Sequence, residues 1–573
     1  MKKIFFAIIC LTLWSSSAKA DDTKASEEML KLTAEFLAPY NGQLPEGITV
    51  NEDGKSLTLD TKVFMSNPEA KRYFEQMGRL LMSEGSVETE SQFEINSLQM
   101  NEISEEQRAT VAAKQRLKGP RKSRSIPQVT TCLYVDYTYM SVDGKNNPVR
   151  LSSRAYIPGA VQTSYTSKLG WSAAFIVPEI VTFIADMVKG VWNMVVGYTF
   201  DFGLLSCHPT VTLSDEAPTG DNPIDQNVYM FCSDYALVVC PDYCGYGLSE
   251  YRQHPYLVEG VTARNVVDSY IAALELIEGK TAATSLFGDY KLASDFYTDI
   301  IGYSQGGAVA LATLRYLESG QVSEEKLKHF NLRNTYCGDG PYSPIATVQQ
   351  YLDWSNGDDE RYVNMAYPAV LPLIVQAAKD AYDYDCMHTV KVEDFFTEKF
   401  LSTGILDLLN TKRWSTAQLN KLTEEVGTRK IGEILSDKVI KKVKGVGNSG
   451  EEREYYAFNK ETNEFKCLWR SFEYNDLTKG WTPKHPIAFM HYKEDAVVPF
   501  VNMMEVAHNI GTGSSTKLLF SDVERVRQEM TLLWELAATY FQNVFDNPNH
   551  ESMGVFFYIA AAAGTFEDML DEL

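Results

Sequence analysis

The amino-acid sequence predicts an α/β protein with a mainly parallel central sheet and helices on both of its faces. From residue 235 onward, short apolar runs alternate with stretches of helical periodicity, as in chains that return to one sheet through helical crossovers. The apolar run at 299–302 leads directly into the glycine-rich GYSQGG and a helix-like AVALATLRYL. The chain has 573 residues, more than a single core usually holds, so we expect large insertions or a second domain.

Each strand of the predicted sheet is a short apolar or alternating run. Residues 131–141 and 149–157 alternate and are rich in aromatic side chains, and Asp143-Gly144 lies between them, so they predict a β-hairpin. Helices are predicted at 261–279 and 308–317. Further apolar runs predict strands at 202–206, 235–239, 299–302, 333–337, 486–491 and 516–520.

The first twenty residues have the pattern of a secretory signal peptide. Lys2 and Lys3 precede an apolar stretch over 4–14, and Ala18-Lys19-Ala20 has the small residues of a cleavage site. The apolar stretch is too short to cross a bilayer as a helix. We therefore expect an exported bacterial protein, periplasmic or extracellular, whose mature chain begins near Asp21.

The mature chain divides into four predicted parts. Residues 21–125 are charged and helix-leaning, and they predict an N-terminal helical extension that ends in a linker. Residues 126–342 form the first part of the α/β core and contain an apolar helical insertion at 165–199. This insertion is either a buried helical hairpin or a lid beside the site. Residues 343–479 predict a helical cap, and residues 480–573 complete the core.

Charge and composition exclude several classes of partner. The formal net charge is −23, which disfavours nucleic acid because phosphates repel an acidic surface. No run of 18 uncharged apolar residues occurs, so we expect no stable membrane span. Eight cysteines follow the signal peptide, but their spacing predicts neither a disulfide pairing nor a metal site. The oligomeric state is left open by the sequence.

Ser304, in the G-x-S-x-G motif GYSQG, is the candidate nucleophile. An apolar strand precedes the motif and an uninterrupted helical pattern follows it, which is the context of a nucleophile elbow. Gly302 and Gly306 supply positions without a β-carbon where such a turn is tight. The motif therefore predicts a serine hydroxyl raised above the edge of the sheet, at the N-terminus of a helix.

A serine hydroxyl needs a base and an orienting acid, which follow it along the chain in this arrangement. His550 lies in a loop before the last apolar helix and is the predicted base. His491, within a strand, and His508, within a helical stretch, are the alternatives. Asp495 follows the predicted strand at 486–491 and is the predicted acid, with Glu494 and Asp339 as alternatives.

Two backbone N–H groups are the candidate oxyanion donors. One belongs to Gln305, which begins the helix after the nucleophile. The other is expected in the loop after the third strand, where Pro209 has no N–H, so we assign it to Thr210; the neighbouring His208 could be structural. The segment PDYCGYG (241–247) predicts either a tight turn or a wall of the substrate pocket.

Five segments together resemble the secretory lipase-like α/β-hydrolases and their bacterial esterase relatives. The resemblance covers about residues 130–565 and leaves the first hundred residues without a counterpart. It implies ester hydrolysis through Ser304, Asp495 and His550, a helical cap, no cofactor, and a small-molecule or lipid ester as substrate. Two alternatives are a serine peptidase of this fold acting on short peptides and a non-catalytic binding protein. The segments are SCHPT, VVCPDYCGYGLSEYRQHPYL, IIGYSQGGAVALA, GWTPKHPIAFMHYKEDAVVPF and NHESMGVFFYIAAAAG.

Overall fold

The computed structural model describes fifteen stretches of the chain. The predicted signal peptide, Thr210 and most of the predicted insertion at 165–199 lie outside them. The described residues are 31–40, 43–52, 56–70, 72–73, 93–102, 129–160, 165–168, 195–202, 236–277, 291–328, 330–412, 414, 416–446, 451–530 and 548–573.

The strands of this part of the chain form three sheets. In chain order they are β1 (Ile48–Val50), β2 (Ser56–Leu59), β3 (Phe93–Glu102), β4 (Val129–Val142), β5 (Pro148–Ala160), β6 (Tyr165–Lys168), β7 (Val195–Phe202), β8 (Ala236–Pro241), β9 (Lys291–Tyr303), β10 (Leu332–Gly338), β11 (Ile440–Val446), β12 (Glu452–Phe458), β13 (Ile487–His491) and β14 (Leu518–Asp522).

The helices lie mostly after β8. They are α1 (Thr61–Ser66), α2 (Glu259–Ile277), α3 (Gln305–Glu318), α4 (Glu324–Leu327), α5 (Pro344–Ser355), α6 (Val370–Ala381), α7 (Glu398–Leu401), α8 (Ile405–Thr411), α9 (Thr416–Glu425), α10 (Ile431–Ile434), α11 (Asn463–Tyr474), α12 (Val501–Val506), α13 (Val523–Glu529), α14 (His550–Ala562) and α15 (Thr565–Asp571). Residues 31–37, 68–70 and 72–73 are also helical. Short 3₁₀ and π turns lie at Ala38–Tyr40, Gly247–Ser249, Cys386–Thr389, Val392–Phe395 and Ala507–Gly511.

The large sheet has nine strands in the order β14-β13-β10-β9-β7-β8-β5-β4-β3. The six strands from β14 to β8 pair in parallel, and β5, β4 and β3 continue the sheet in antiparallel pairs. Every residue of β8 and β13 is buried, as expected of strands covered on both faces. The predicted α/β class with a mainly parallel sheet is therefore confirmed.

Helices cover both faces of this sheet because successive side chains of a strand point to opposite sides. On β9, Ile300 packs into the apolar cluster that contains Leu311 of α3. Its neighbour Ile301 packs into the cluster that contains Phe557 of α14. The nucleophile motif and the last histidine therefore belong to helices on opposite faces, and they meet at the carboxyl edge of the sheet.

The insertion predicted at 165–199 differs from its prediction at both of its described ends. Strand β7 begins at Val195, inside the region predicted as helical insertion, and strand β6 occupies residues 165–168. Helix over these ends of the insertion was the wrong expectation. Phe202 is the one described residue of the strand predicted at 202–206, and it lies in β7. A short apolar run is compatible with either a strand or a buried helix, and periodicity alone does not separate the two.

The N-terminal region is also less helical than predicted. Residues 31–37 are helical as expected. Strands β1 and β2 pair with β6 in a small antiparallel sheet, and β3 adds the edge strand of the large sheet against β4. The helix-leaning N-terminal extension thus also contains three strands that the sequence did not predict. The pairing of β3 depends on a partner that lies further along the chain, and this signal is absent from the local sequence.

Between β10 and β13 the chain builds a separate apolar cluster. It includes Val348, Leu371, Phe400 and Phe472 of this segment, and it reaches the core at Val142 of β4 and Val261 of α2. Strands β11 and β12 form an antiparallel hairpin within this segment. Cys386 and Cys467, at a sequence separation of 81, form a disulfide that joins the middle of the segment to α11.

Taken singly, none of the described helices is long and apolar enough to cross a membrane. The bent pair α14 and α15, which meet at 61°, reaches that length and composition together.

Candidate active site

The chain makes a strained turn at Ser304, between β9 and α3. Ser304 has φ 59° and ψ −124°, a region that residues with a β-carbon rarely occupy. Its backbone N–H donates to the Gly338 carbonyl at the end of β10, over 2.9 Å. The turn thus fixes the serine backbone to the neighbouring strand and directs its hydroxyl away from the sheet edge.

Glycines make this turn sterically possible. A β-carbon on Gly302 would lie 1.9 Å from the Gly306 carbonyl oxygen, and one on Gly307 would lie 2.3 Å from the Gly338 carbonyl oxygen. Both distances are far inside van der Waals contact, so the strand, the turn and the first turn of α3 could not approach this closely with larger residues.

Ser304, His550 and Asp495 are joined by an unbroken row of hydrogen bonds. His550 Nε2 lies 2.7 Å from Ser304 Oγ, and His550 Nδ1 lies 2.6 Å from Asp495 Oδ2. Since the carboxylate can only accept, Nδ1 carries the ring proton, and Nε2 is free to accept the serine hydroxyl proton. This is the arrangement in which the imidazole can act as a general base toward Ser304.

The elements around the row hold each member in place. His550 is the first residue of α14, whose N-cap Asn549 accepts from the Ser552 backbone N–H over 2.8 Å. Asp495 lies in the turn after β13, and its Oδ1 accepts the backbone N–H groups of Val497 and Val498 at 2.7 and 2.9 Å. Every oxygen of the acid therefore has a donor, and the histidine is held at a helix start.

The acid and the base lie almost entirely out of solvent, whereas Ser304 is partly exposed. Asp495 is 1% exposed and His550 is 7% exposed. Burial opposes both charges, but the facing charge and hydrogen bond of the partner lower the pKa of Asp495 and raise the pKa of His550. The environment thus favours an ionised acid beside a histidine that readily takes up a proton.

The alternative bases and one alternative acid lie elsewhere. His491 is fully buried in β13, and its Nε2 lies 2.9 Å from the Val498 carbonyl. His508 is exposed in the π turn after α12. Glu494 is exposed, and its carboxylate lies 3.5 Å from Arg361. Among the described histidines and acids, the hydroxyl of Ser304 is bonded to His550.

The third candidate acid, Asp339, is close to the triad without touching the ring of His550. One oxygen each of Asp339 and Asp495 and one ring nitrogen of His550 lie within 4.8 Å of one another, a spacing that a metal ion could bridge. However, the oxygens of both carboxylates already accept protein hydrogen bonds. Each oxygen of the two carboxylates therefore already has a hydrogen-bond donor within the protein.

Gln305 is fixed through its side chain by a residue that sequence reasoning missed. As the first residue of α3, it has a backbone N–H without an acceptor inside the helix. Its side-chain Nε2 lies 2.9 Å from His254 Nε2, and His254 Nδ1 lies 2.9 Å from the Cys244 carbonyl. His254 therefore donates through Nδ1 and accepts from the Gln305 amide. Thr210, the other predicted donor, lies outside the described residues.

The PDYCGYG segment forms a tight turn that supports His254. Tyr243 and Gly245 have positive φ angles of 61° and 92°. A β-carbon on Gly245 would lie 2.5 Å from the Cα of His254, so the two backbones are in direct contact. Asp242 accepts a hydrogen bond from the Ser152 hydroxyl and is fully buried. The segment thus connects β8 to the residue that holds Gln305.

Comparisons with known proteins bear on the architecture. No protein-family model matches the chain, and no curated protein is similar to it in sequence. Three crystal structures of the rice cell wall degrading esterase LipA from Xanthomonas oryzae are similar to it in structure. A point mutant of LipA gives a TM-score of 0.51 at 16% identity and covers 83% of this chain and 98% of its own. The chain has the α/β-hydrolase fold.

The other two LipA structures give TM-scores of 0.50. They are 16% and 17% identical to this chain, and they cover 84% and 83% of it and 97% and 98% of their own chains. In the α/β-hydrolase fold the nucleophile elbow precedes the acid and the histidine along the chain. Ser304, Asp495 and His550 follow this order.

Proposed function

We propose that this protein is an exported serine hydrolase that cleaves carboxylic esters through Ser304, His550 and Asp495. The observation that carries the proposal is the row of hydrogen bonds from the Ser304 hydroxyl through the His550 ring to the Asp495 carboxylate, at 2.7 and 2.6 Å. The strained elbow at Ser304 and the α/β-hydrolase fold support the same assignment.

In the acylation step the Ser304 oxygen attacks the ester carbonyl carbon. His550 Nε2 takes the hydroxyl proton as the new C–O bond forms, and the carbonyl π electrons move to oxygen. The resulting imidazolium lies against the ionised Asp495, which stabilises it and holds its tautomer. The Gln305 backbone N–H, at the N-terminus of α3, donates to the oxyanion, and we assign the second donor to Thr210.

Collapse of the tetrahedral intermediate breaks the bond to the alcohol. His550 gives its proton to the leaving oxygen, and the acyl group stays on Ser304 as an ester. A water molecule, deprotonated by His550, then attacks the acyl carbon; the bond to Ser304 Oγ breaks, His550 returns the proton to Oγ, and the carboxylic acid leaves. The cycle restores the protein without a cofactor.

Residues 343–479 form the proposed cap over this site. The Tyr351 hydroxyl of α5 donates to the Val497 carbonyl, in the turn that carries Asp495. The cap is thus joined to the acid turn by a direct hydrogen bond, and its apolar cluster suits a small-molecule or lipid ester. The secretory pattern of residues 1–20 supports export.

Hydrolysis of a series of p-nitrophenyl esters, from acetate to palmitate, tests the proposal. The protein comprises residues 21–573, and the Ser304→Ala variant is the matched control. We expect turnover by the wild type that falls below detection in the variant, together with labelling of Ser304 by a fluorophosphonate. The preferred acyl length then separates an esterase from a lipase.

Absence of turnover at every acyl length in a folded wild-type protein contradicts the proposal. Aminoacyl and dipeptidyl p-nitroanilides then test the peptidase alternative. If these are also inert and the fluorophosphonate does not label Ser304, the protein is a binding protein that retains the fold.

A further inference from the structure

Asp339 is a buried carboxyl group that the mechanism above does not use. It follows β10, the strand next to the one that carries the nucleophile, and it is fully buried. Its φ angle of 38° lies in a region unfavourable for a residue with a β-carbon. Its backbone N–H donates to the Met490 carbonyl of β13 over 3.0 Å. The backbone at the end of β10 is therefore held in a strained conformation that brings this side chain toward the triad.

Two donors hold the Asp339 carboxylate. Oδ1 accepts the Tyr492 backbone N–H over 3.0 Å, and Oδ2 accepts the Tyr303 hydroxyl over 2.6 Å. The same hydroxyl oxygen lies 2.8 Å from the His550 carbonyl oxygen. Tyr303 immediately precedes Ser304, and its single hydroxyl proton serves one of these two acceptors at a time; the shorter contact is to the Asp339 carboxylate.

The distance between Asp339 and the triad is short enough for a strong effect of charge. The nearest ligand atoms of Asp339, Asp495 and His550 lie within 4.8 Å of one another, and all three residues are buried. Two carboxylates therefore lie close to one imidazole in a region that water screens poorly. The second carboxylate raises the pKa of His550, as the first does.

We propose that Asp339 is a positioning residue of the catalytic site: a second buried carboxylate that stabilises the imidazolium form of His550. This inference rests on the proposed function of the same site. When His550 takes the Ser304 proton, the positive ring lies near two negative charges. In a variant that lacks the charge of Asp495, the Asp339 carboxylate still stabilises the imidazolium in part.

The charge of Asp339 also affects how the protonation of His550 depends on pH. Burial raises the pKa of Asp339 to about 6, so its charge is lost in the same range in which histidines titrate. His550 then titrates in two coupled steps, because an ionised Asp339 favours the protonated ring. The titratable groups that face Asp339 are Tyr303 of β9, His491 of β13, Asp495 after β13, Tyr342 after β10 and His550 of α14.

The variant Asp339→Asn tests this inference, because it keeps the shape of the side chain and removes its charge. Without the second charge, the acid limb of the kcat/KM profile, which reports the free enzyme, moves to lower pH by about half a unit or more. If Asp339 only filled space, the Asp339→Asn variant would have a lower kcat, but the acid limb of its kcat/KM profile would stay at the pH of the wild type. The matched variant Tyr303→Phe keeps the carboxylate, so its limb stays closer to that of the wild type.

A second comparison measures how far the charge of Asp339 replaces the charge of Asp495. Asp495→Asn is expected to retain residual turnover that falls about tenfold further in the double variant Asp339→Asn/Asp495→Asn. Equal turnover in the single and double variants, with an acid limb that Asp339→Asn does not move, overturns the inference.

Direct titration of His550 separates this inference from the proposed function. In protein labelled with ¹⁵N-histidine, the ring Nδ1–H signal that disappears in His550→Gln reports the protonation of this residue without any substrate. We expect two ionisations in the wild type and one in Asp339→Asn. If ester turnover is absent but two ionisations appear, the proposed reaction fails and the second carboxylate stands. A single ionisation in the wild type overturns the inference, including where Asp339→Asn does not fold.

Discussion

His254 Nε2 lies 2.9 Å from the side-chain amide of Gln305, the residue that directly follows the nucleophile. His254 is fully buried and is itself held by the Cys244 carbonyl. A histidine contributed by the loop after β8 therefore fixes the helix position whose backbone N–H we assign to the oxyanion.

The variant His254→Ala is expected to lower kcat about tenfold with little change in KM. Loss of one oxyanion donor costs about a hundredfold or more, and here the donor is displaced and not removed. Steady-state hydrolysis of a short p-nitrophenyl ester measures both constants. His485→Ala, which removes a partly exposed histidine bonded to Glu318, is the control. A variant that folds and turns over as fast as the wild type would contradict a role for His254.

Asp495→Asn is expected to lower kcat by about 10³–10⁴-fold, because an amide does not hold the required histidine tautomer. Its neighbour Glu494 is exposed and directed toward Arg361, so Glu494→Gln is expected to retain activity within about twofold. The ratio of the two kcat values identifies the acid. Comparable losses in the two variants would mean that the acid was wrongly assigned.

Glu259 predicts a pH dependence of stability. It is the first residue of α2 and is 3% exposed, and neither carboxylate oxygen has a hydrogen bond in the described part of the chain. Burial raises its pKa to about 8, and the nearby Thr262 and Arg315 offset this only in part. Its backbone N–H donates to Asn475, just after α11, so the group lies where the core meets the proposed cap.

Because the pKa of Glu259 is raised in the folded state, this residue makes the fold less stable as the pH rises. Below the unfolded pKa of about 4.5, both states hold the proton and Glu259 has no effect on stability. As the pH rises to about 8, the unfolded chain ionises first, so the folded state loses stability by on the order of 3–5 kcal/mol. Glu259→Gln is therefore expected to match the wild type in urea at pH 4.5 and to exceed it at pH 8. Glu324→Gln, at an exposed helix start, should give no such difference; an equal pH response in both variants would refute the prediction.

The disulfide between Cys386 and Cys467 is expected to stabilise the proposed cap. It closes a loop with a sequence separation of 81, for which loop-closure entropy predicts about 4 kcal/mol. Dithiothreitol should therefore lower the urea midpoint of the wild type. The double variant Cys386→Ser/Cys467→Ser should start from the lower midpoint and show no response. A wild-type midpoint that the reductant does not change would count against this bond.

Local sequence signals predicted the elements that carry the site. The elbow around Ser304 has a motif, the acid follows a recognisable strand, and His550 precedes the last apolar helix, so chain order selected all three. Their catalytic role stays a prediction that the variants above test. The structure brings these residues within hydrogen-bond distance, as chain order led us to expect.

Other parts of the site depend on contacts between residues far apart in the sequence, which no local sequence pattern predicts. His254 meets Gln305 from 51 positions away, and Tyr303 meets His550 from 247 positions away. Strand β7 was mistaken for helix because periodicity alone does not separate a short apolar run in a strand from one in a helix. The pairing of Cys386 with Cys467 likewise arises only once the segment between them has folded.

The proposed cap lies between Ser304 and His550 in the sequence, so the proposed nucleophile is synthesised well before the proposed base. Ser304 leaves the ribosome 246 residues before His550. At usual elongation rates, this delay is roughly 12–50 seconds. During that time the elbow can form, but its hydroxyl has no base and is an ordinary alcohol. On the proposed mechanism, hydrolytic activity therefore arises only after α14 has docked, and a chain that ends before His550 is expected to be inactive.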